Sequence, residues 1–262
     1  QPYAPTHRLL RLEYLAEQMI AQVARFDVFL EWWRSELDPP PAGVVGFKSI
    51  AAYRTGLDIQ PVSWESAEDC FYAIKAQYAD APGARVRLAH APLIDFLVHE
   101  GLAIAARYNL PVQFHTGFGD PDLDLRLANP LHLRPLLEHP SYRQVPIVLL
   151  HAAYPFMREA GYLAAVYPQV YVDFGLAVPF LSVAGMRQSI QALLELSPVS
   201  KVLYSSDAHL IPELYYLGAK WGRQALGDVL TQAIADGDLT TTEAETAAQA
   251  ILHGNAHTLY RL

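Results

Sequence analysis

Three apolar runs in this chain each end in a side chain that can bind a metal or move a proton, and this recurrence limits the fold more than any other feature. Val112 to Thr116 ends in His115, Ile147 to Tyr154 opens as IVLLHAAY and delivers His151, and Lys201 to His209 (KVLYSSDAH) delivers Asp207. Short runs rich in apolar residues and closed by polar stretches read as buried strands. Three strands that present such groups at their C-terminal ends point to one site at the C-terminal face of a parallel sheet or barrel.

Two more strands fit the same reading. Val44 to Ile50 (VVGFKSI) carries Lys48 where a loop begins, followed by Tyr53 and Arg54, and Val170 to Gly175 (VYVDFG) lies between the His151 and Asp207 runs. Between the strands the periodicity is helical. From Thr6 to Leu37, Leu9, Leu12, Leu15, Met19, Ile20, Val23 and Phe26 recur at spacings of mostly three and four, which predicts one amphipathic helix stopped by Pro39, Pro40 and Pro41. Ser63 caps a helix to about Tyr78, and Pro92 suits the first turn of another to about Tyr108. Asn129 and Pro130 open a short helix to Glu138, and helices follow over about 156–166, 179–196 and 212–234. Thr242 with Glu245 predicts a capping box for the last one. The pattern is βαβα with a parallel sheet of five strands. A (β/α)8 barrel needs eight, and the sequence offers no candidates for three more. An open doubly wound sheet satisfies the count, but the Gly-rich first turn on which such a sheet usually holds its ligand is missing.

Composition narrows the partners. The 262 residues are 52% hydrophobic and 18% charged, enough for a large core, and a formal charge of −8 without any Lys or Arg cluster argues against nucleic acid. The single cysteine, Cys70, excludes an intrachain disulfide, and no apolar run approaches the roughly 20 residues of a membrane span. The expectation is a soluble, cytoplasmic protein that acts on a small molecule and is compatible with a homo-oligomer.

The stretches FKSIAAYRTGLD, PVQFHTGFGDPDLDLRLANPLHLRPLLE, IVLLHAAYPFMREAGYLAAVYPQVYVDFGLA, KVLYSSDAH with PELYYLGA, and ILHGNAHTLYRL together resemble the amidohydrolase-related family of metal-dependent hydrolases. More narrowly, they are similar to the amidohydrolase-like domain that plants and fungi carry fused to a glutamine-synthetase-like domain and bacteria carry alone. The resemblance implies a TIM-type (β/α)8 barrel, α/β in class, spanning 1–262 as one domain, of which the five strands would be the fourth to eighth. It implies a divalent metal, zinc by type, and matches Lys48 to a fourth-strand ligand that relatives sometimes carbamylate. It matches His115 to the fifth-strand ligand, His151 to the sixth-strand histidine that binds metal or polarises a carbonyl, and Asp207 to the eighth-strand carboxylate that takes a proton from the metal's water. The family's first strand supplies a His-x-His pair, and this sequence has none; the chain accordingly resembles the C-terminal two thirds of such a protein.

Each residue also has a plainer reading. A histidine at a strand end is often a hydrogen-bonded core residue, and a strand-end lysine such as Lys48 is often an ion pair. Asp120, Asp122 and Asp124 lack the Gly and Glu of a calcium loop and read as loop, with Arg126 as a partner. Tyr53 and Arg54 are candidates for a substrate carboxylate, and His209 for the site wall. The reaction implied is hydrolysis of a C–N bond, with decarboxylation or isomerisation on the same site, or a non-catalytic regulatory barrel, as alternatives. If the strand ends share a site, His115, His151 and Asp207 converge, and the Lys48 and Asp207 strands are both outermost and unpaired.

Overall fold

Segments as apolar as IVLL can bury both faces only within a parallel sheet covered by helices, and the computed structural model, which describes residues 5–79 and 84–262, places them there. Six parallel strands run in the order β1 (Arg8–Arg11), β2 (Val44–Ser49), β3 (Val112–Phe114), β4 (Ile147–Leu149), β5 (Val170–Asp173) and β7 (Val202–Leu203). The two-residue β6 (Gly175–Leu176) forms only isolated bridges.

Side chains alternate across the pleat. Phe47, Val112, Phe114, Ile147, Leu149, Val172 and Val202 are at most 1% exposed and join the main core beneath the helices. The other face carries a row in register, Arg11 beside Lys48, Lys48 beside Gln113, Gln113 beside Val148 and Val148 beside Tyr171. That inner row lines an open trough into which Tyr260 reaches from the C-terminal helix, its hydroxyl accepting a 2.8 Å bond from Gln113.

The helical layer consists of α1 (Leu12–Ile20), α2 (Phe26–Ser35), α3 (Trp64–Gln77), α4 (Ala91–Tyr108), α5 (Arg134–Glu138), α6 (Met157–Val166), α7 (Ala177–Phe180), α8 (Val183–Leu194), α9 (Pro212–Asp236), α10 (Thr241–Gln249) and α11 (Asn255–Tyr260). Local chemistry sets their ends. Ser63 accepts from Ser66 N–H, Asn129 accepts from Leu131 N–H, and α9 stops at Gly237, whose φ of 84° a side chain would resist. Phe26 packs its ring 4.8 Å from Trp64 and 5.6 Å from Phe71, tying α2 to α3.

Three expectations need correction. The apolar stretch from residue 6 to 37 is not one helix: Arg8–Arg11 is a strand, and turns at residues 21–25 separate α1 from α2. Leu10 and Leu12 point to the helices while Leu9 points into the trough, so leucines on two different elements produced a spacing that looks helical. Consequently the sheet has six principal strands rather than five, and the Lys48 strand is covered by β1; the outermost strands are β1 and β7, which do not pair. The last capping box is built by Thr240 and Glu243, two residues earlier than Thr242 and Glu245.

Candidate active site at the strand ends

β3 ends in Phe114, so the chain turns out of the sheet with His115 facing inward, 3% exposed. Its Nε2–H donates to the Phe118 carbonyl at 3.0 Å, which fixes the proton on that nitrogen and leaves the Nδ1 lone pair without a hydrogen bond among the described residues. Gly117 permits this turn: at φ 70° an added Cβ would lie 2.3 Å from the Ala153 carbonyl carbon. His151, 2% exposed, follows β4 with the opposite tautomer, its Nδ1–H 3.3 Å from the Gly175 carbonyl and Nε2 left open. The two rings lie 4.5 Å apart, and Tyr53 covers His115 at 4.3 Å.

Backbone strain marks the same place. Besides the helix caps Asn109 and Arg261, the non-glycine residues with positive φ are His151, Ala152, Ala153, Leu176, Asp207 and Leu210, all beyond the C-terminal ends of β4, β5 and β7. Such conformations cost energy and persist where the surroundings enforce them, as they do around sites that act on a ligand. Asp173 supplies part of that enforcement. Fully buried at the end of β5, its Oδ1 accepts from Gly175 N–H at 2.9 Å and from His151 N–H at 3.3 Å.

Lys48, Tyr53, Arg54, His115, His151 and Asp207 line one cavity of about 290 Å3. A second of about 300 Å3, deeper in the trough, shares Lys48, His151 and Asp207 and adds Asp173 and Ser205. His209 lines neither: exposed, its ring sits 2.9 Å from the carbonyl oxygen of Asp207. Asp124 pairs with Arg126 on the surface as loop chemistry suggested, and Asp122 pairs with Arg87 at 2.6 Å.

The charges are tuned by burial. Burial first, and the Lys48 charge second, take the His115 pKa down to about 3; His151 is also held well below the imidazole range, by burial, by His115 and by Lys48. Burial raises Asp207, against the pull of Lys48, and raises Asp173 to about 6. Both imidazoles are therefore neutral, with one lone pair each available. This is the state a metal ligand needs, and a carbonyl that fixes the tautomer is what usually orients one. The donor chemistry fits a divalent ion, but the set is partial: among the described residues no group of three His, Cys, Asp or Glu is close enough to hold one.

Sequence reasoning overlooked Asp173, Glu13, Glu17, Arg11 and Arg87. Asp173 could have been found, since the apolar run 170–172 is followed at once by this carboxylate, just as the His115 and His151 runs are followed by their histidines. Glu13 and Glu17 are buried on α1, where charged residues inside an apolar periodicity carry no local signal.

The sequence profile of the amidohydrolase family matches residues 71–262. The chain belongs to that family. It is 36% identical to Protein fluG of Emericella nidulans over 98% of its own length and 32% of that protein's, so the chain spans about a third of the curated relative it matches. A Lactobacillus casei crystal structure, described as that of a metal-dependent hydrolase, superposes with a TM-score of 0.89 at 34% identity, covering 98% of this chain and 66% of that one. Uronate isomerase of Thermotoga maritima superposes with a TM-score of 0.65 over 95% of this chain and 57% of its own, at 15% identity, a likeness of fold alone. The six parallel strands with their outer helices are thus part of a TIM-type amidohydrolase barrel.

Proposed function

We propose that the protein is a metal-dependent hydrolase that cleaves a C–N bond of a small molecule, with the shared cavity of His115, His151 and Asp207 as its centre. The observation that carries this reading is the pair of neutral imidazoles, each with its tautomer fixed by a backbone carbonyl and its other nitrogen free, 4.5 Å apart in one cavity. His115 through Nδ1, His151 through Nε2 and Asp207 would hold the ion together with donors from outside this group, and Lys48 stands beside them. A divalent cation, zinc by the preference of imidazole donors, supplies a Lewis acid and lowers the pKa of water to about 7. Asp207 would be the general base of this site, and its raised pKa moves it toward the range where a carboxylate can also hand a proton to a leaving amine. Lys48 lines the same cavity as Asp207, and Asp173 anchors the strained His151 backbone. Family membership supports the reaction class. Among the described residues no helix is long and apolar enough to cross a membrane.

The test is metal analysis of the full-length protein followed by hydrolysis assays on a panel of N-acyl compounds. At least one transition metal ion per chain is expected, retained by wild type and lost from His115→Ala and His151→Ala. Asp207→Asn should lower kcat by about 100- to 10,000-fold, the usual worth of a general base. Full-length protein that carries no transition metal and takes none up would sink this reading.

A further inference from the structure

The proposed reaction uses Lys48, His115, His151 and Asp207 and leaves three guanidinium groups around the same cavity without a task. Arg11 ends β1, Arg54 follows the helical turn Ala51–Tyr53 after β2, and Arg87 lies shortly before α4; all three line the cavity. Two of them lack acceptors. Glu17 is the one carboxylate among the described residues that forms a salt bridge with either Arg11 or Arg54, and it is stretched between them, 3.3 Å from Arg54 Nη2 and 4.0 Å from Arg11 Nη2. Its Oε1 also accepts the Leu88 N–H at 3.0 Å. The Arg54 side chain is only 10% exposed, yet among the described residues its Nε has no hydrogen-bond partner, and the buried Nε of Arg11 has none either. A native fold rarely leaves a buried donor on a charged group unpaired, so these two forks are short of an acceptor among the described residues.

We propose that Arg11 and Arg54, with Arg87 at the rim, form a subsite for a carboxylate on the substrate. The chemistry matches: a guanidinium fork binds a carboxylate through two parallel hydrogen bonds and loses that geometry if replaced by lysine. The charge matches as well. Arg87 is balanced by Asp122 at 2.6 Å, so Arg11 and Arg54 share Glu17 as their one salt-bridge carboxylate among the described residues, with the buried Glu13 close by. Asp120 and Asp207 line the same cavity and disfavour the greater charge of a phosphate dianion over a carboxylate. Burial first, and the neighbouring Arg87 charge second, pull the Arg54 pKa down, so an arriving anion relieves a repulsion already present. Tyr53 covers His115 and directly precedes Arg54, which joins the reacting end of the cavity to the carboxylate end. A cavity of about 290 Å3 lies at the small end of ligand sites, so the substrate class is a small acid whose carboxylate stands away from the bond that breaks. The assignment of that breaking bond rests on the hydrolase reading above; the carboxylate subsite itself does not.

Calorimetric titration of the full-length protein tests it, with succinate, its neutral isostere succinamide, and inorganic phosphate as probes. The titrations contain 1,10-phenanthroline, an uncharged chelator, so that no bound metal can capture the carboxylate and no polycarboxylate chelator competes for the subsite. Succinate is expected to bind, succinamide not to bind, and phosphate to bind about tenfold more weakly than succinate. Arg54→Lys and Arg11→Lys, which keep the charge beside Glu17 and remove the fork, should each weaken succinate by about tenfold or more while circular dichroism stays that of wild type. Where Arg54→Lys fails to fold, Arg11→Lys combined with Arg87→Gln, at more exposed positions, gives the same reading. The proposal is overturned by wild-type succinate affinity in these variants, by equal binding of phosphate or succinamide, or by no succinate binding at all. Because the titration is metal-free, failure of the metal analysis leaves its result standing, and its own failure leaves the metal result standing.

Discussion

At the scale of single residues, the site is held by backbone conformations that side chains normally avoid. His151 and Asp207 have φ of 69° and 51°, and Asp173 receives the His151 N–H that would otherwise be orphaned at this turn. Gly117 is the matching permissive position on the neighbouring loop. Its φ of 70° costs any substituted residue about 1 kcal/mol, and a Cβ at 2.3 Å from the Ala153 carbonyl carbon forces one of two packed loops to move, adding about 1–3 kcal/mol. Gly117→Ala should therefore lower unfolding free energy in urea by about 2–4 kcal/mol, with loss of metal retention, since the same loop carries the Phe118 carbonyl that orients His115. A loss below about 0.5 kcal/mol would show that the His115 and His151 loops are not in the close contact described, because that is the range of an ordinary surface change.

At the scale of elements, strands and helices differed in how plainly the sequence announced them. The strands ending near His115, His151 and Asp207 were legible because short apolar runs closed by polar loops fit the strands of a covered parallel sheet. β1 was not, because Arg8-Leu9-Leu10-Arg11 is short, edged with charge and followed at once by α1, so that Leu9, Leu12 and Leu15 mimic a helical face across two elements. Its existence depends on the backbone edge of β2, a long-range partner that no local window contains. The same limit explains the site: the histidines and Asp207 were visible at their strand ends, whereas Arg11, Arg87 and Glu17 matter only through one another. The ends of α3, α4, α6 and α9 were legible to within about two residues, whereas those of α1 and α2 were not, and the final capping box tests how far such local signals go. Thr240 Oγ1 accepts the Glu243 N–H at 3.2 Å, and Glu243 Oε2 accepts the Thr240 N–H at 2.8 Å. Thr240→Ala should cost about 1 kcal/mol, while Thr242→Ala, inside the helix, should stay within about 0.5 kcal/mol. Chemical denaturation giving the reverse order would restore Thr242 as the cap.

Dependence of stability on pH belongs to the whole molecule, because it sums over every group whose proton affinity changes on folding. Asp27, Asp38, Asp122, Asp124, Glu138 and Glu195 are lowered first by hydrogen-bonded partner side chains, but they lie on the surface and are screened, so buried groups decide the outcome. Burial holds His99, His115 and His151 below the usual imidazole range, so the unfolded chain binds their protons first and stability is lost as pH falls below about 6.5. Burial raises Asp95 and Asp173 to about 6, so their contribution has the opposite sign: present in full below about 4, and lost as pH rises through about 6. Burial raises Glu13 and Asp207 as well, so buried carboxylates and buried histidines pull stability in opposite directions between pH 5 and pH 7, and their parts are separated by removing one group at a time. Asp95 isolates the opposing part, since it lies on α4, outside both site cavities, and is only 6% exposed. Its Oδ2 accepts the Gln60 N–H at 3.0 Å, a bond that an amide oxygen can keep. Asp95→Asn removes a buried negative charge without removing that acceptor, so it should be more stable than wild type by about 1 kcal/mol at pH 7.5, the gain closing toward zero near pH 4. Urea midpoints of both proteins across this range check the sign: an Asp95→Asn protein weaker than wild type at pH 7.5 would mean that the carboxylate is stabilised in its charged form by solvent reaching α4.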